Sequence, residues 1–276
     1  MTDLRPLPDA FILGAMRSGT TFLHAALEHH PSVAAANKKE LQFFSLYWQK
    51  GIEHYRRQMP LRWPRWVYEL ACRPRPLVVD SSPYYLFHPE APARLAATIG
   101  PSAKCIVLLR EPVARAWSDY QFNLHRGLEH LGFREALAQE PQRSRIDQPP
   151  PNPQHPHLIA HQLYSYAARG LYAQQLCAWW QHIPRDRFLL LRSEDLFATP
   201  QLVFDHVCDF LGLARMPLPE GLPRNARSRF TMAEDLRAGL NQFYEGSNRD
   251  LYDLTGICWP PSQPSAQQAP TEDPCL

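Results

Sequence analysis

Phe11-Ile12-Leu13-Gly14-Ala15-Met16-Arg17-Ser18-Gly19-Thr20-Thr21 is the stretch that decides the fold. Its first half closes a short apolar run, Ala10 to Gly14, of the kind expected for a parallel strand covered on both faces. Its second half opens a helix that sets Leu23, Ala26, Leu27 and His30 on one face and stops at Pro31. A glycine-bounded turn joins them. Glycines let successive backbone N–H groups converge on one anion, and a helix N-terminus adds about half a positive charge. The layout is that of a phosphate loop, but G-x-x-x-x-G-K-[ST] would put lysine where Thr20 stands. Here the cation is Arg17, inside the loop, which suits a smaller anion held without magnesium better than a γ-phosphate. Alone, the stretch reads equally as an anion site or as an ordinary strand-to-helix turn.

Working outward, Pro76 to Asp80 (PLVVD), Cys105 to Leu109 (CIVLL) and Arg187 to Leu191 (RFLLL) repeat the strand pattern, each followed by a helical one. Strands alternating with helices predict an α/β fold in three layers, a mostly parallel central sheet flanked by helices. The 276 residues, 45% hydrophobic and 20% charged, fit one domain over residues 1–258. The proline-rich stretch from Glu140 to His157 reads as a surface loop, either a lid or an insertion, and the chain from Trp259 to Leu276 as a frayed tail. The six cysteines form no C-x-x-C pair, and Cys105, Cys177 and Cys208 lie in apolar runs, so buried thiols are expected rather than disulfides or zinc ligands. No stretch reaches the ~18 uninterrupted apolar residues of a membrane span and no signal peptide is visible, so the expected location is cytoplasmic.

Lys+Arg 29 against Asp+Glu 27 is too balanced for nucleic-acid binding driven by bulk charge. Only four of those 29 cations are lysines, and arginine suits bidentate contacts to phosphate or sulfate. A second constellation, Leu109-Arg110-Glu111-Pro112, ends the CIVLL strand and leads into a helix carrying Arg115, Ser118 and Tyr120. Open α/β sheets bind ligands at the carboxyl ends of their strands, so Arg110, joined by the Ser118 hydroxyl, can pair with a second phosphate. A magnesium enzyme would want an acid there. In Lys38-Lys39-Glu40-Leu41-Gln42-Phe43-Phe44 one carboxylate precedes an aromatic run, and partial desolvation would raise it toward the range of a general base. By itself that cluster reads as solvated charge.

Taken in order, these residues resemble the sulfotransferases that use 3′-phosphoadenosine 5′-phosphosulfate (PAPS), especially the heparan-sulfate and bacterial branch, over most of the chain. Arg17, Ser18, Gly19, Thr20 and Thr21 are similar to that family's 5′-phosphosulfate loop, and Arg110 with Ser118 to its 3′-phosphate motif. Glu40 falls on the family's K-E-x-x-F-F pattern, whose glutamate deprotonates the acceptor. The resemblance extends more weakly through Gly170-Leu171-Tyr172 with Leu176 and Trp180, Leu190 to Leu196, and Phe210 to Leu213, and implies Tyr172 as a donor-binding position. Arg224-Asn225-Ala226-Arg227-Ser228-Arg229 lies where relatives close a basic loop over the 3′-phosphate, which implies Arg227, with Arg224 and Arg229 as further candidates. Asp80-Ser81-Ser82-Pro83-Tyr84-Tyr85 departs from the pattern: Ser81 stands where many relatives carry lysine, so either Arg17 and backbone donors suffice or Lys38, Lys39 or another arginine supplies that charge. The implied enzyme is a metal-free sulfotransferase with PAPS as co-substrate and a glycan or other small-molecule acceptor, Arg17 and Glu40 being catalytic.

Other readings stay open. Histidine is the competing base in the cytosolic branch of the family, with His54, His88, His125 and His130 available. A P-loop nucleotide kinase would use Asp80 as its magnesium-side acid. A polyanion-binding module would rest on Arg56, Arg57, Arg62, Arg65, Arg73 and Arg75, opposed between them only by Glu69. Trp48, Tyr55, Trp63, Trp66, Tyr84 and Tyr85 read either as core or as a stacking surface for the acceptor. Neither the acceptor nor the oligomeric state is legible.

Overall fold

The computed structural model describes residues 5–36, 38–60, 75–145, 159–223 and 231–259. Its strands are β1 (Ala10–Gly14), β2 (Val33–Ala35), β3 (Leu77–Ser81), β4 (Lys104–Leu109) and β5 (Phe188–Arg192). They form one sheet in the order β2-β3-β1-β4-β5, and every pairing is parallel. The helices are α1 (Thr20–Glu28), α2 (Ile52–Arg56), α3 (Ala91–Ile99), α4 (Pro112–His125), α5 (Phe133–Arg143), α6 (Ala160–Tyr164), α7 (Tyr172–Trp180), α8 (Ser193–Ala198), α9 (Pro200–Leu211) and α10 (Glu234–Thr255).

Successive strand residues serve opposite faces, so each apolar run feeds two cores. Phe11, Leu13, Cys105, Val107 and Leu109 pack with Leu95 of α3 and with Tyr172, Leu176 and Trp179 of α7. Ala10, Ile12, Ile106 and Leu108 pack with Leu23 and Leu27 of α1, Leu196 of α8 and Phe204 and Val207 of α9. A third cluster joins α4, α5 and α10 through Val113, Tyr120, Phe133, Leu240 and Tyr244. The expected α/β layering is therefore present, with β1 at the centre and β3 and β4 on either side of it.

Four expectations need correction. The three-residue β2 was not anticipated; its ladder to Leu77, Val78 and Val79 of β3 creates it. Glu140 does not open a loop, because Glu140–Arg143 complete α5 and the buried Glu140 carboxylate accepts from the N–H groups of Ala167 and Ala168 at 2.7 and 2.8 Å; the expected loop from residue 146 on lies outside the described residues. Trp259 is not frayed: its indole N–H donates to Glu194 at 2.8 Å and its ring packs 6.1 Å from that of Tyr172, while residues 260–276 lie outside the described residues. Cys105 and Cys208 are buried thiols, but Cys177 is exposed. No helix among the described residues is long and apolar enough to cross a membrane.

Candidate active site

The loop after β1 is shaped by close packing. A Cβ on Gly14 would meet Leu86 Cβ at 2.6 Å, so glycine alone fits at that strand end. Gly19 has φ 95°, a left-handed conformation that costs glycine little, and brings the start of α1 against Leu196 and Phe197. No side chain caps α1, leaving its first-turn N–H groups free of a side-chain acceptor. Ser18 is fully buried and its hydroxyl has no partner among the described residues. Buried polar groups are normally paired, so such an atom marks a place for something else.

Arg17 also has a left-handed backbone, φ 69°, which is uncommon without glycine and points to a position held for function. Its Nε donates to Ser118 Oγ at 3.3 Å, and its guanidinium lies 4.4 Å from the centre of the Phe122 ring. Arg110 Nη1 donates to the Arg17 carbonyl at 3.0 Å. Burial pulls both guanidiniums below their usual pKa, with Asp119 opposing at Arg17 and Glu194 at Arg110. Neither forms an ion pair within 4.0 Å of a carboxylate among the described residues. Two partly desolvated cations without a matching carboxylate create strong demand for an anion.

Behind Arg110 the support is backbone-directed. Glu111 caps α4, its carboxylate accepting from the N–H groups of Val113 and Ala114 at 2.8 and 2.6 Å. Glu194 accepts from the Glu111 N–H at 2.9 Å. Tyr172 is fully buried, and its hydroxyl donates to the Arg110 carbonyl at 2.9 Å. It therefore supports the strand end that carries Arg110. Ser118 lies against Arg17 rather than Arg110. Arg227, with Arg224 and Arg229, lies outside the described residues.

Glu40 reaches the site from the neighbouring strand. Its N–H donates to the Ser81 carbonyl at 2.9 Å, at the end of β3 beside β1. One carboxylate oxygen accepts from Lys39 Nζ at 3.0 Å and the other from Gln42 Nε2 at 3.3 Å. Lys39 Nζ also donates to Thr21 Oγ1 at 2.9 Å, so one ammonium spans from the loop to the carboxylate. Phe43 and Phe44 do not cover Glu40 as the sequence reading expects. They are buried in the core, where Phe43 stacks on Tyr55 at 4.4 Å. The Ser81 hydroxyl is within 2.9 Å of His24 Nδ1.

Arg17, Gly19, Thr20, Thr21, Lys39 and Glu40 line one cavity of about 310 Å³, closed opposite by Phe122, Asn123, Arg126, Gln162 and Leu163. Among the described residues no histidine is on its wall, and His88 is buried elsewhere against Tyr84. Sequence reading missed Phe122 and Arg126. The helical period would have found them, since Phe122 is one turn after Ser118 and Arg126 one turn later. Tyr55, Tyr84 and Tyr85 are core residues, not an acceptor platform, and Trp63 and Trp66 lie outside the described residues.

The kinase reading loses its acid. Asp80 is fully buried, with Ser82 Oγ donating to Oδ1 at 2.7 Å and Tyr55 and Tyr85 hydroxyls donating to Oδ2 at 2.8 and 3.0 Å. Three donors and no open edge leave no place on it for a magnesium-bound phosphate. In the basic cluster, Arg75 makes a two-bond pair with Asp9 and Arg56 lies 3.8 Å from Glu53, while Arg62, Arg65 and Arg73 lie outside the described residues.

Comparison with known proteins agrees with this geometry. The chain is 26% identical to the membrane-associated sulfotransferase kil1 of Dictyostelium discoideum, over 90% of its own length and 65% of that protein. It is 28% identical to heparan sulfate glucosamine 3-O-sulfotransferase 3B1 of Mus musculus, over 91% and 64%. It thus spans slightly less than two thirds of these curated relatives. The crystal structure of a sulfotransferase from Alicyclobacillus acidocaldarius superposes with a TM-score of 0.70 at 29% identity, covering 92% of this chain and 98% of that one. The sulfotransferase domain model matches residues 7–231, which with this fold and loop makes the chain a member of the sulfotransferase domain family.

Proposed function

We propose that the protein transfers a sulfuryl group from PAPS to a hydroxyl or amine of a carbohydrate-like or other small acceptor, with Glu40 as general base. The observation that carries this reading is the pair Arg17 and Arg110, joined by one hydrogen bond and matched by no carboxylate within 4.0 Å among the described residues. The residues fit the donor: the orphaned Ser18 hydroxyl, the uncapped start of α1 and Arg17 suit its 5′ end, and Arg110 suits its 3′-phosphate. Arg227 enters by resemblance alone. The heparan sulfate relatives make carbohydrate the first acceptor class to test.

The donor supplies a sulfuryl group and a phosphate leaving group. Glu40 takes the acceptor's proton as the acceptor atom bonds to sulfur and the bond from sulfur to the bridging oxygen breaks. Arg17 and the N–H groups at Ser18 to Thr21 meet the charge that grows on that oxygen, stabilising the transition state more than the ground state. Lys39, held between Thr21 and Glu40, provides the second cation that Ser81 does not.

The test is labelled-donor transfer to carbohydrate, phenolic, peptide and lipid-alcohol acceptors by wild type and Glu40→Gln. Loss of a general base costs on the order of a hundredfold or more, with adenosine 3′,5′-bisphosphate affinity kept. Wild-type turnover in Glu40→Gln removes Glu40 from the role, and tighter calorimetric binding of ATP with magnesium than of the bisphosphate removes the sulfuryl-transfer reading.

A further inference from the structure

The segment carrying Glu40 lacks regular secondary structure and holds two left-handed residues without glycine, Glu40 at φ 62° and Gln42 at φ 55°. Such conformations persist only where the surroundings over-determine them. What holds this segment is a row of acceptors. Gln42 N–H donates to Ser82 Oγ at 3.1 Å, and the N–H groups of Phe43 and Phe44 donate to the Tyr85 hydroxyl at 2.8 and 3.4 Å. Both acceptors pass their own hydrogens to Asp80, Ser82 to Oδ1 and Tyr85 to Oδ2. Tyr55 donates to the same Oδ2 and stacks its ring on Phe43.

A hydroxyl can accept along its lone pairs only if its hydrogen is committed elsewhere. The Asp80 carboxylate commits both hydrogens, so the Ser82 and Tyr85 lone pairs turn toward the backbone of residues 42–44. Burial pushes the Tyr55 and Tyr85 phenols well above their ordinary pKa, with Asp80 adding to the shift, and both remain donors. Burial also raises the Asp80 carboxyl, against the pull of its three hydroxyl partners; the all-donor surroundings fit the ionised form.

We propose that Asp80, which is absent from the cavity wall, is the positioning residue for Glu40, acting through Ser82 and Tyr85 on the backbone of residues 42–44. The inference rests on the reading of Glu40 as base. It gives the buried acid at the end of β3 a purpose that neither packing nor metal binding supplies. Asparagine at position 80 would turn an N–H₂ toward hydroxyls that now donate, and at least one of them would have to rotate away from its backbone partner.

The experiment uses the full chain and two readouts. The first is amide hydrogen exchange followed by mass spectrometry in Asp80→Asn, Ser82→Ala and Tyr85→Phe. Peptides covering Gln42 to Phe44 should exchange at least about tenfold faster while those of β1 and α1 keep wild-type rates, since opening free energies are local. The second is transfer from labelled PAPS to a heparan-type oligosaccharide, with bisphosphate affinity alongside. In the same variants kcat should fall about tenfold or more with bisphosphate affinity unchanged, because displacement of a catalytic group by ~1 Å costs on the order of a hundredfold. Each should cost little further in a Glu40→Gln background, because coupled residues are non-additive. Unchanged exchange at residues 42–44, equal acceleration across the sheet, or full additivity with Glu40→Gln overturns the proposal. If Asp80→Asn does not fold, the serine and tyrosine variants decide. Wild-type turnover in Glu40→Gln refutes the base itself and the proposal with it; loss there without loss in the three variants refutes the positioning alone.

Discussion

Replacing Arg17 by glycine separates stability from activity in a way only a functional arginine would. The residue sits at φ 69°, where a side chain costs about 1–2 kcal/mol, and glycine relieves that cost. Against the gain stand three losses. The Nε bond to Ser118 at 3.3 Å is long and contributes about 0.5–1 kcal/mol. The guanidinium over Phe122 contributes about 0.5–1 kcal/mol, and the added freedom of glycine in the unfolded chain costs about 0.4–1 kcal/mol. The terms nearly cancel, leaving a net destabilisation of about 1 kcal/mol or less, a few degrees in Tm for a chain of this size. Alanine keeps the strain, so Arg17→Ala should melt below Arg17→Gly, the reverse of the usual order at ordinary positions. Turnover should fall in both variants by about 10²–10³, the usual cost of removing one transition-state donor. Calorimetric melting beside labelled sulfuryl transfer reads both quantities. Turnover within about threefold of wild type in Arg17→Gly would refute the catalytic role, and a fall in Tm beyond about 10 °C would show the residue to be structural.

Gly19→Ala should lower bisphosphate affinity at least about tenfold, because its Cβ would sit 2.9 Å from Leu196 Cδ2 on a backbone at φ 95°; titration calorimetry checks it, and wild-type affinity would count against the loop as the donor site. Lys39→Met should reduce kcat about tenfold or more while preserving the fold, since the ammonium ties Thr21 to Glu40 across the cavity; steady-state kinetics beside circular dichroism separate the two. Stability should fall on acidification from about pH 7 to 5. Burial, helped by Arg94, pushes the folded His88 pKa down to about 4, and burial with Arg169 and His88 pushes His161 to about 3. Unfolded imidazoles take protons below about 6.5 that the folded chain refuses, so the contribution is complete above that pH and is lost as pH drops toward the folded values. Each histidine accounts for up to about 2 kcal/mol over that interval. Urea midpoints at the two pH values measure it: equal midpoints in the wild type, or an undiminished slope in His88→Asn, would contradict the sign.

Local order was legible and assembled order was not. The loop from Gly14 to Thr21 and strands β1, β3, β4 and β5 follow from adjacent residues, because a buried parallel strand must be apolar along its whole length. The three-residue β2 has no such run and exists through its ladder to β3. Glu140 looks like loop residue because its partners, Ala167 and Ala168, come from a distant segment. Lys39 reads as solvated charge until the fold brings Thr21 across from α1. Asp80 was visible as an acid at a strand end, but its meaning lies in Tyr55, Ser82 and Tyr85, and no spacing rule joins those three hydroxyls. Tyr172 shows a different limit: resemblance found the position, and only the fold shows its hydroxyl supporting the Arg110 carbonyl.

The strand order accounts for why these pieces meet at all. A parallel sheet opens a crevice where neighbouring strands send their connections to opposite faces. Here β1 delivers the anion loop, β3 the platform under Glu40, and β4 the Arg110 end that leads into α4. Adjacent strands lie about 4.8 Å apart, so the three ends, Glu40 at one side and Arg110 at the other, span about 10 Å. The opposite wall is independent of the sheet: Phe122, Asn123 and Arg126 follow from α4, and Gln162 and Leu163 from α6. Phe122 touches Arg17, but substitutions at Arg126, Gln162 or Leu163 can alter acceptor choice while the donor contacts and Glu40 remain fixed. Arg126→Ala should therefore shift acceptor KM before it shifts bisphosphate affinity, and the reverse order would place the donor on that wall instead.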